Sequence, residues 1–299
     1  MKRRPLPALA ALTALLLALL GVSTASADTA VAPASATARQ APPQIPAENV
    51  MAHLDEFQKI ADANGDTRAH GTPGYEASAD YVQSALDAAG FETERQAFTY
   101  NGRTGWNVIA EWPHGDTENV VMAGAHLDSV TRGPGLNDNG SGSAAVLEVA
   151  LAVSRADLRP EQRLRFGWWG AEENGLIGSD HYAGELGQSG RAKLDAYLNF
   201  DMVGQKALTD MGVYTHDAAI SGMFEAYYEA QGIPTYGIRW DGSSDHSSFA
   251  QYGVTVGGIG SGDDPCYHSP CDTVSNVGAD VVGHSANAIA HTVWQLGGA

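Results

Sequence analysis

The stretch Arg165–Leu176 reads R-F-G-W-W-G-A-E-E-N-G-L. It is apolar and aromatic up to Ala171, then places Glu172 and Glu173 side by side, followed by Asn174-Gly175. A short apolar run bounded by turn residues predicts a buried strand, here Leu164–Ala171. Asn-Gly supplies the chemistry for a turn directly after it. Adjacent carboxylates repel, and each is penalised for losing water in a cleft. Two of them at the end of a buried strand therefore call for a nearby positive charge.

The rest of the chain fits around that strand. Ala47–Ala63 and Gly74–Ala89 carry apolar residues at helical spacing, the second through Tyr75, Ala79, Val82 and Leu86, with Gly90 as a stop. Phe91–Tyr100, Asn107–Trp112 and Val120–Ala125 read as strands, and Gly140–Ala156 as a helix rich in Ala, Val and Leu. After the glutamates come a helix at Leu176–Leu186, a strand at Ala196–Met202, a helix at Ile220–Gln231, a strand at Val254–Ile259 and a closing helix at Gly278–Gln295. Strands alternating with helices predict a three-layer α/β/α sandwich with a mixed, largely parallel central sheet and helices on both faces. In such folds the ligand site lies past the carboxyl ends of the strands.

Composition sets the boundaries. The chain has 299 residues, 43% of them hydrophobic, with 6 Trp and 11 Tyr, enough for one large core and too many aromatics for disorder. Lys2, Arg3 and Arg4 precede an apolar run over about residues 6–20, and Ala25-Ser26-Ala27 offers a cleavage site. Residues 1–27 thus read as a secretory signal peptide; the run is short for a membrane span, and no second one follows. Residues 28–46, rich in Ala, Pro, Thr and Ser, read as a disordered linker or pro-segment, which leaves 47–299 as a single domain. Removal of the leader takes three basic residues and no acid, so the net charge of −18 becomes −21. Such a surface repels nucleic acid and anionic lipid, and the expectation is a secreted, extracellular monomer with neither as partner. Cys266 and Cys271 stand in C-Y-H-S-P-C. In an exported chain a disulfide is expected between them. Its closed loop is so short that the entropic gain is only roughly 2 kcal/mol, and its main effect is to hold the backbone around His268.

The residues after each strand form a set. His126 and Asp128 follow the strand at Val120–Ala125, in G-A-H-L-D-S; Asp138 lies in the glycine-rich L-N-D-N-G-S-G-S before a helix. Glu172 and Glu173 follow the next strand, Asp201 ends N-F-D, and Tyr267 and His268 lie between the cysteines. Alone, each has an ordinary reading as a helix cap or a solvated side chain. Together, five acids and two histidines at corresponding ends of one sheet need cations. Imidazole mixed with carboxylate suits zinc-type metals. So many ligands exceed one tetrahedral zinc with an open position, and suit two ions sharing a carboxylate. One glutamate would then bind metal and the other take a proton from the attacking water.

Carried by A-G-A-H-L-D-S-V, G-L-N-D-N-G-S-G-S-A-A-V-L-E, L-R-F-G-W-W-G-A-E-E-N-G-L-I-G-S, Y-L-N-F-D-M-V-G, S-S-D-H-S-S-F and C-Y-H-S-P-C-D, with R-A-H-G-T-P-G-Y near the start, the chain resembles the secreted M28 zinc aminopeptidases from about Ile45 to its end. The resemblance implies two Zn2+ per chain. His126 and Asp201 would hold one, Glu173 and His268 the other, and Asp138 would bridge them. Glu172 would be the general base, Asp128 would orient His126, and Tyr267 would stabilise the oxyanion. It also implies a cis peptide at Asp138–Asn139. The implied reaction is hydrolysis of the first residue, leucine or another large apolar one, from peptides with a free N-terminus. The chain departs from the family in a short segment before Cys266, in V-G-Q-K-A-L after F-D-M, and in Ser243, where a member of the family similar in pattern carries arginine.

Rival readings have less support. His246, in S-S-D-H, competes with His268 as the late histidine ligand, and the motif favours His268. No H-E-x-x-H and no G-x-S-x-G occurs, which argues against a zincin and a serine hydrolase. A metallocarboxypeptidase of the same superfamily would need a cation for the substrate carboxylate, with Arg239 as candidate. A single-zinc acyl transferase or an inactive metal-stabilised binding module would be expected to lack a ligand or the base, and none is missing.

Overall fold

The computed structural model describes residues 40–239, 241–262 and 264–299. The expected signal peptide, 1–27, and residues 28–39 of the expected linker lie outside the described residues. Ile45, within the segment read as linker, is buried, and its backbone N–H and C=O both pair with the Asn287 amide at 2.9 Å. The packed fold therefore takes in residues ahead of Ala47.

The described residues hold one eight-stranded sheet. Its strands are β1 (Glu92–Tyr100), β2 (Arg103–Glu111), β3 (Asp116–His126), β4 (Gln162–Trp169), β5 (Leu194–Asp201), β6 (Met211–Tyr214), β7 (Thr235–Ile238) and β8 (Val256–Gly260). The spatial order is β1-β2-β4-β3-β5-β8-β6-β7. The centre, β4-β3-β5-β8, is parallel; β1 and β2 add an antiparallel edge, and β6 runs antiparallel to β8 with β7 parallel beyond it. The mixed, largely parallel sheet expected from the sequence is the one found.

Alternation along the central strands builds two cores. On β3, Val121, Ala123 and Ala125 enter the larger cluster, while Val120 and Met122 enter the smaller. On β4, Trp168 goes to the first and Trp169 to the second, as a period of two requires. The larger cluster is covered by helices α1 (Ala47–Ala63), α2 (Pro73–Ala88), α3 (Gly142–Arg155), α6 (Ala218–Gln231) and α8 (Ala279–Leu296). The smaller is covered by α4 (Ile177–Glu185) and α7 (His246–Ala250), with α5 (Gly187–Arg191) following α4. Both indoles are satisfied in the interior: Trp168 Nε1 donates to the Ser143 carbonyl at 3.1 Å and Trp169 Nε1 to the Tyr197 hydroxyl at 2.7 Å.

Four elements have no counterpart in the sequence reading: β6, β7, α5 and α7. Each is four or five residues long, too short to establish a period, and M-G-V-Y and T-Y-G-I carry an interior glycine. The helix read from Gly140 starts instead at Gly142. Before it, Leu136–Ser141 forms an irregular helical turn with non-helical dihedrals at Asp138 and Asn139. The strand read as Ala196–Met202 ends at Asp201, and the chain bends at once, with Met202 in the left-handed region.

Candidate metal centre

The site sits past the carboxyl ends of the parallel strands. His126 closes β3 and Asp201 closes β5. Glu172 and Glu173 occupy a short 3₁₀ turn after β4, entered through Ala171 at φ 55° and left through Gly175 at φ 105°. This left-handed entry breaks the strand alternation and lets two consecutive carboxylates serve one cavity. The Asn174-Gly175 pair expected from the sequence to supply the turn ends it, while the redirection itself begins one residue before the glutamates, at Ala171.

Asp138 stands at the centre. Its Oδ1 lies 3.3 Å from His126 Nε2, and its Oδ2 lies 3.1 Å from His268 Nε2. His126 Nε2 is also 3.5 Å from Asp201 Oδ1 and 3.9 Å from Glu172 Oε2. His268 Nε2 is 2.8 Å from Glu173 Oε2. Two groups result, His126–Asp138–Asp201 and Asp138–Glu173–His268, each with ligand atoms within 4.8 Å of one another. They share Asp138. All five residues expected to bind metal are brought together. His246 is not among them: its ring packs on Tyr214 and His216.

The donor set, imidazole together with carboxylate, fits zinc-type metal. Glu173 Oε1 is buried with no hydrogen-bonding partner, and Asp138 Oδ2 and Asp201 Oδ1, also buried, face only the imidazole nitrogens of His268 at 3.1 Å and of His126 at 3.5 Å. Buried oxygens of this kind are costly unless a cation meets them. Protonation equilibria express the same conflict. Burial pushes the Glu173 carboxyl up to about 7 and Glu172 well above the usual carboxylate range. Burial would also lower His126, but Glu172 and the carboxylates of Asp128, Asp138 and Asp201 hold it well above its usual value. His268, between Asp138 and Glu173, is raised to about 10. Asp138, raised by burial, is brought down to about 2 by the two imidazoles. Charged histidines thus do what a divalent cation does better, since imidazole ligates metal in its neutral form.

The surrounding residues aim these groups. Asp128 is fully buried, and the nearer acceptor for His126 Nδ1 is its backbone carbonyl at 3.1 Å; the carboxylate is 3.7 Å away. That carboxylate receives the backbone N–H of Glu172 at 3.1 Å and of Glu173 at 3.4 Å. Asp128 therefore holds the glutamate turn as well as the histidine. Tyr267 is half-exposed, stacks on the His268 ring with centroids 3.7 Å apart, and lines the same cavity as Glu172. The Asp138–Asn139 peptide is cis, as the resemblance implies. A disulfide joins Cys266 and Cys271 around His268.

Several residues of the site carried no assignment from the sequence. Asp272 accepts the backbone N–H of Asn137 at 2.8 Å and of Asp138 at 2.9 Å, which ties the shared carboxylate to the end of the disulfide loop. Ser244 donates to Asp201 Oδ2 at 2.7 Å, leaving Oδ1 facing His126. Arg68, fully buried, donates through Nε to the Pro134 carbonyl at 2.9 Å and through Nη2 to Gly135 at 2.7 Å, while Nη1 reaches Leu127. It clamps the segment after His126 to the one before Asp138. Asn139 fixes the same turn to β5: its side chain donates to the Phe200 carbonyl at 2.8 Å and accepts from Gly142 and Met202. Gly142 is required there, since a Cβ would sit 2.2 Å from the Phe200 carbonyl oxygen.

Known proteins share this fold. A solved zinc aminopeptidase from Bacillus subtilis superposes over 86% of this chain and 96% of its own with a TM-score of 0.76 at 17% identity, a likeness of fold. An aminopeptidase from Aneurinibacillus sp. strain AM-1 does so over 84% and 94% at a TM-score of 0.73 and 20% identity. In sequence, leupeptin-inactivating enzyme 1 of Streptomyces exfoliatus is 49% identical over 97% of this chain and 70% of its own length. An aminopeptidase of Pseudomonas aeruginosa is 40% identical over 63% of this chain, which spans only 41% of that relative. The Peptidase family M28 model matches residues 107–293, from within β2 to the last turn of α8 and across every residue placed at the metal centre above except Arg68, so the chain belongs to peptidase family M28.

Proposed function

We propose that the protein is an exported aminopeptidase that uses two zinc ions to remove the first residue, leucine or another large apolar one, from peptides with a free amino terminus. The observation that carries this reading is Asp138, whose two oxygens face two separate histidine–carboxylate groups. His126 and Asp201 would hold one ion, Glu173 and His268 the other, with Asp138 between them.

Zinc bound there supplies Lewis acidity, activating water and polarising the scissile carbonyl. The chain's residues do the rest. Glu172 lines the cavity with its carboxylate 3.9 Å from His126 Nε2, takes the proton from the attacking water and delivers it to the leaving amine. The Tyr267 phenol, kept protonated by burial and the neighbouring acids, donates to the developing oxyanion. Acids around the cavity receive the cationic amino terminus. The described lining of this cavity contains no Lys or Arg. Arg239, the candidate cation for a carboxypeptidase, is exposed and lies beside Asp241 at 3.8 Å.

Apolar substrate preference and export draw support from the family and the leader sequence; among the described residues no helix is long and apolar enough to cross a membrane. We read the working form as a monomer acting on peptides. The test is cleavage of leucine-p-nitroanilide and its N-acetyl form before and after metal removal and zinc restoration. Zinc-dependent cleavage of the free amine alone is expected. Equal cleavage of the acetylated form overturns the exopeptidase reading, and a best rate at one zinc per chain overturns the two-ion reading.

A further inference from the structure

The cavity at the metal centre is about 240 Å³, below the volumes common for sites that enclose a small ligand. A space of that size suits a single residue rather than a length of peptide. Beside it lies a cavity of about 910 Å³. Gly262 and Tyr267 line both. A peptide whose first residue fills the smaller space has its continuing chain directed past these two residues into the larger one.

We propose that the larger cavity is the subsite for the second and third residues of the substrate, and that the enzyme acts on peptides of three or more residues in preference to single aminoacyl amides. The inference rests on the aminopeptidase reading above. One wall is the segment Gln205–Asp210, which contains most of the V-G-Q-K-A-L departure noted in the sequence. It is built in place: Lys206 N–H donates to the Asn276 carbonyl at 3.0 Å, Lys206 Nζ to Ser275 at 2.6 Å, and the Ala207 N–H to the Gln205 side chain at 2.7 Å. A wall already ordered costs little further entropy when a peptide docks. The described lining mixes Leu208, Tyr236 and Pro265 with Thr209, and includes Asp210 and Asp264 but no basic residue. Asp264 is engaged by Asn137 and Asn276, whereas Asp210 is exposed. A carboxylate close behind the scissile bond is thus disfavoured, whether an acidic second residue or the free end of a dipeptide.

The experiment compares kcat/KM for leucinamide and Leu-Gly-Gly-amide in the zinc-loaded wild type and in Ala207→Trp and Thr209→Trp. Both replaced residues are exposed, so the indole fills cavity without disturbing the core. The tripeptide amide should exceed leucinamide by about tenfold, a difference worth about 1.4 kcal/mol. Either tryptophan should remove that advantage and leave leucinamide unchanged. Equal rates on both substrates in the wild type, or equal losses on both in the variants, overturn the subsite. Loss on leucinamide with alaninamide spared assigns the cavity to the first side chain and also overturns it. Turnover of neither substrate by the zinc-loaded wild type overturns the aminopeptidase reading, and this one with it.

Discussion

The carboxylate of Asp128 accepts the backbone N–H of Glu172 at 3.1 Å and reaches on to that of Glu173 at 3.4 Å. A side chain two residues beyond His126 therefore fixes the turn that carries both the proposed general base and another proposed ligand. An asparagine has only one carbonyl oxygen and would turn an N–H₂ group against one of these donors. Asp128→Asn should keep the fold and lose about 10–100-fold in activity or zinc affinity, as outer-shell changes at metal centres do. Kinetics and chelator competition measure both, and a variant equal to wild type in both would show the turn to be held by other means.

Glu172→Gln separates metal binding from proton transfer. Its zinc content and melting curve should match wild type, and kcat should fall by about 10²–10⁴-fold, the usual contribution of a general base. Loss of zinc in this variant would instead make Glu172 a ligand, and unchanged kcat would remove it from the reaction.

The parts of the site legible in the sequence are those attached to long elements. His126, Glu172, Glu173 and Asp201 each end or follow a strand of eight residues or more, whose apolar pattern is unmistakable. The residues that aim them were not legible, because their partners are remote. Asp272 holds the N–H of Asn137 from 135 positions away, and Arg68 reaches Gly135 across 67. No local pattern distinguishes such an Asp or Arg from a surface charge. Asp128 was legible as a partner of His126, but its grip on the glutamate turn depends on the β3–β4 register that pairs His126 with Trp169. Short β6 and β7 escaped for a different reason, having too few residues for alternation to register.

Ser244 gives Asp201 its direction. Its hydroxyl donates to Oδ2 at 2.7 Å and itself accepts from Asn199 Nδ2 at 2.8 Å. Ser244→Ala leaves Oδ2 unpaired, a loss of about 1–3 kcal/mol in a buried site. The expected result is zinc affinity lower by about tenfold with the melting temperature of the zinc-loaded protein also reduced. Unchanged affinity, measured against a chelating dye, would mean that the ion alone orients the carboxylate.

Glu148 supplies a pH prediction remote from the candidate metal centre. It is buried on α3, and Asn49 Nδ2 at 2.8 Å, His53 Nε2 at 3.1 Å and Arg155 Nη2 at 2.5 Å surround it. Burial would raise its pKa, but these partners hold it below the ordinary value of 4.5. A carboxylate depressed in the folded state contributes stability that is present above the unfolded pKa and lost as pH falls through the folded one. Glu148→Gln should therefore be less stable than wild type at pH 7, and the gap should close on acidification below about pH 4.3. Urea unfolding of both proteins across that range measures it; a gap independent of pH would show that the ion pair contributes nothing.

Arg68 is the final test of how the two ligand segments are held. Its guanidinium is lowered to about 10 by burial, with Asp128 and Asp272 opposing, so it stays charged at neutral pH. It pairs with carbonyls of Leu127, Pro134 and Gly135 and lies 5.0 Å from the Phe57 ring centroid. A lysine keeps the charge near the carboxylates but offers one ammonium where three carbonyls need a planar fork. Each carbonyl left unpaired costs about 1–3 kcal/mol. Arg68→Lys should then be markedly less stable to urea and bind zinc more weakly, with Arg68→Met worse on both counts. Full recovery of zinc affinity by lysine, against loss in methionine, would show that the charge alone matters and that the distance between His126 and Asp138 is set elsewhere.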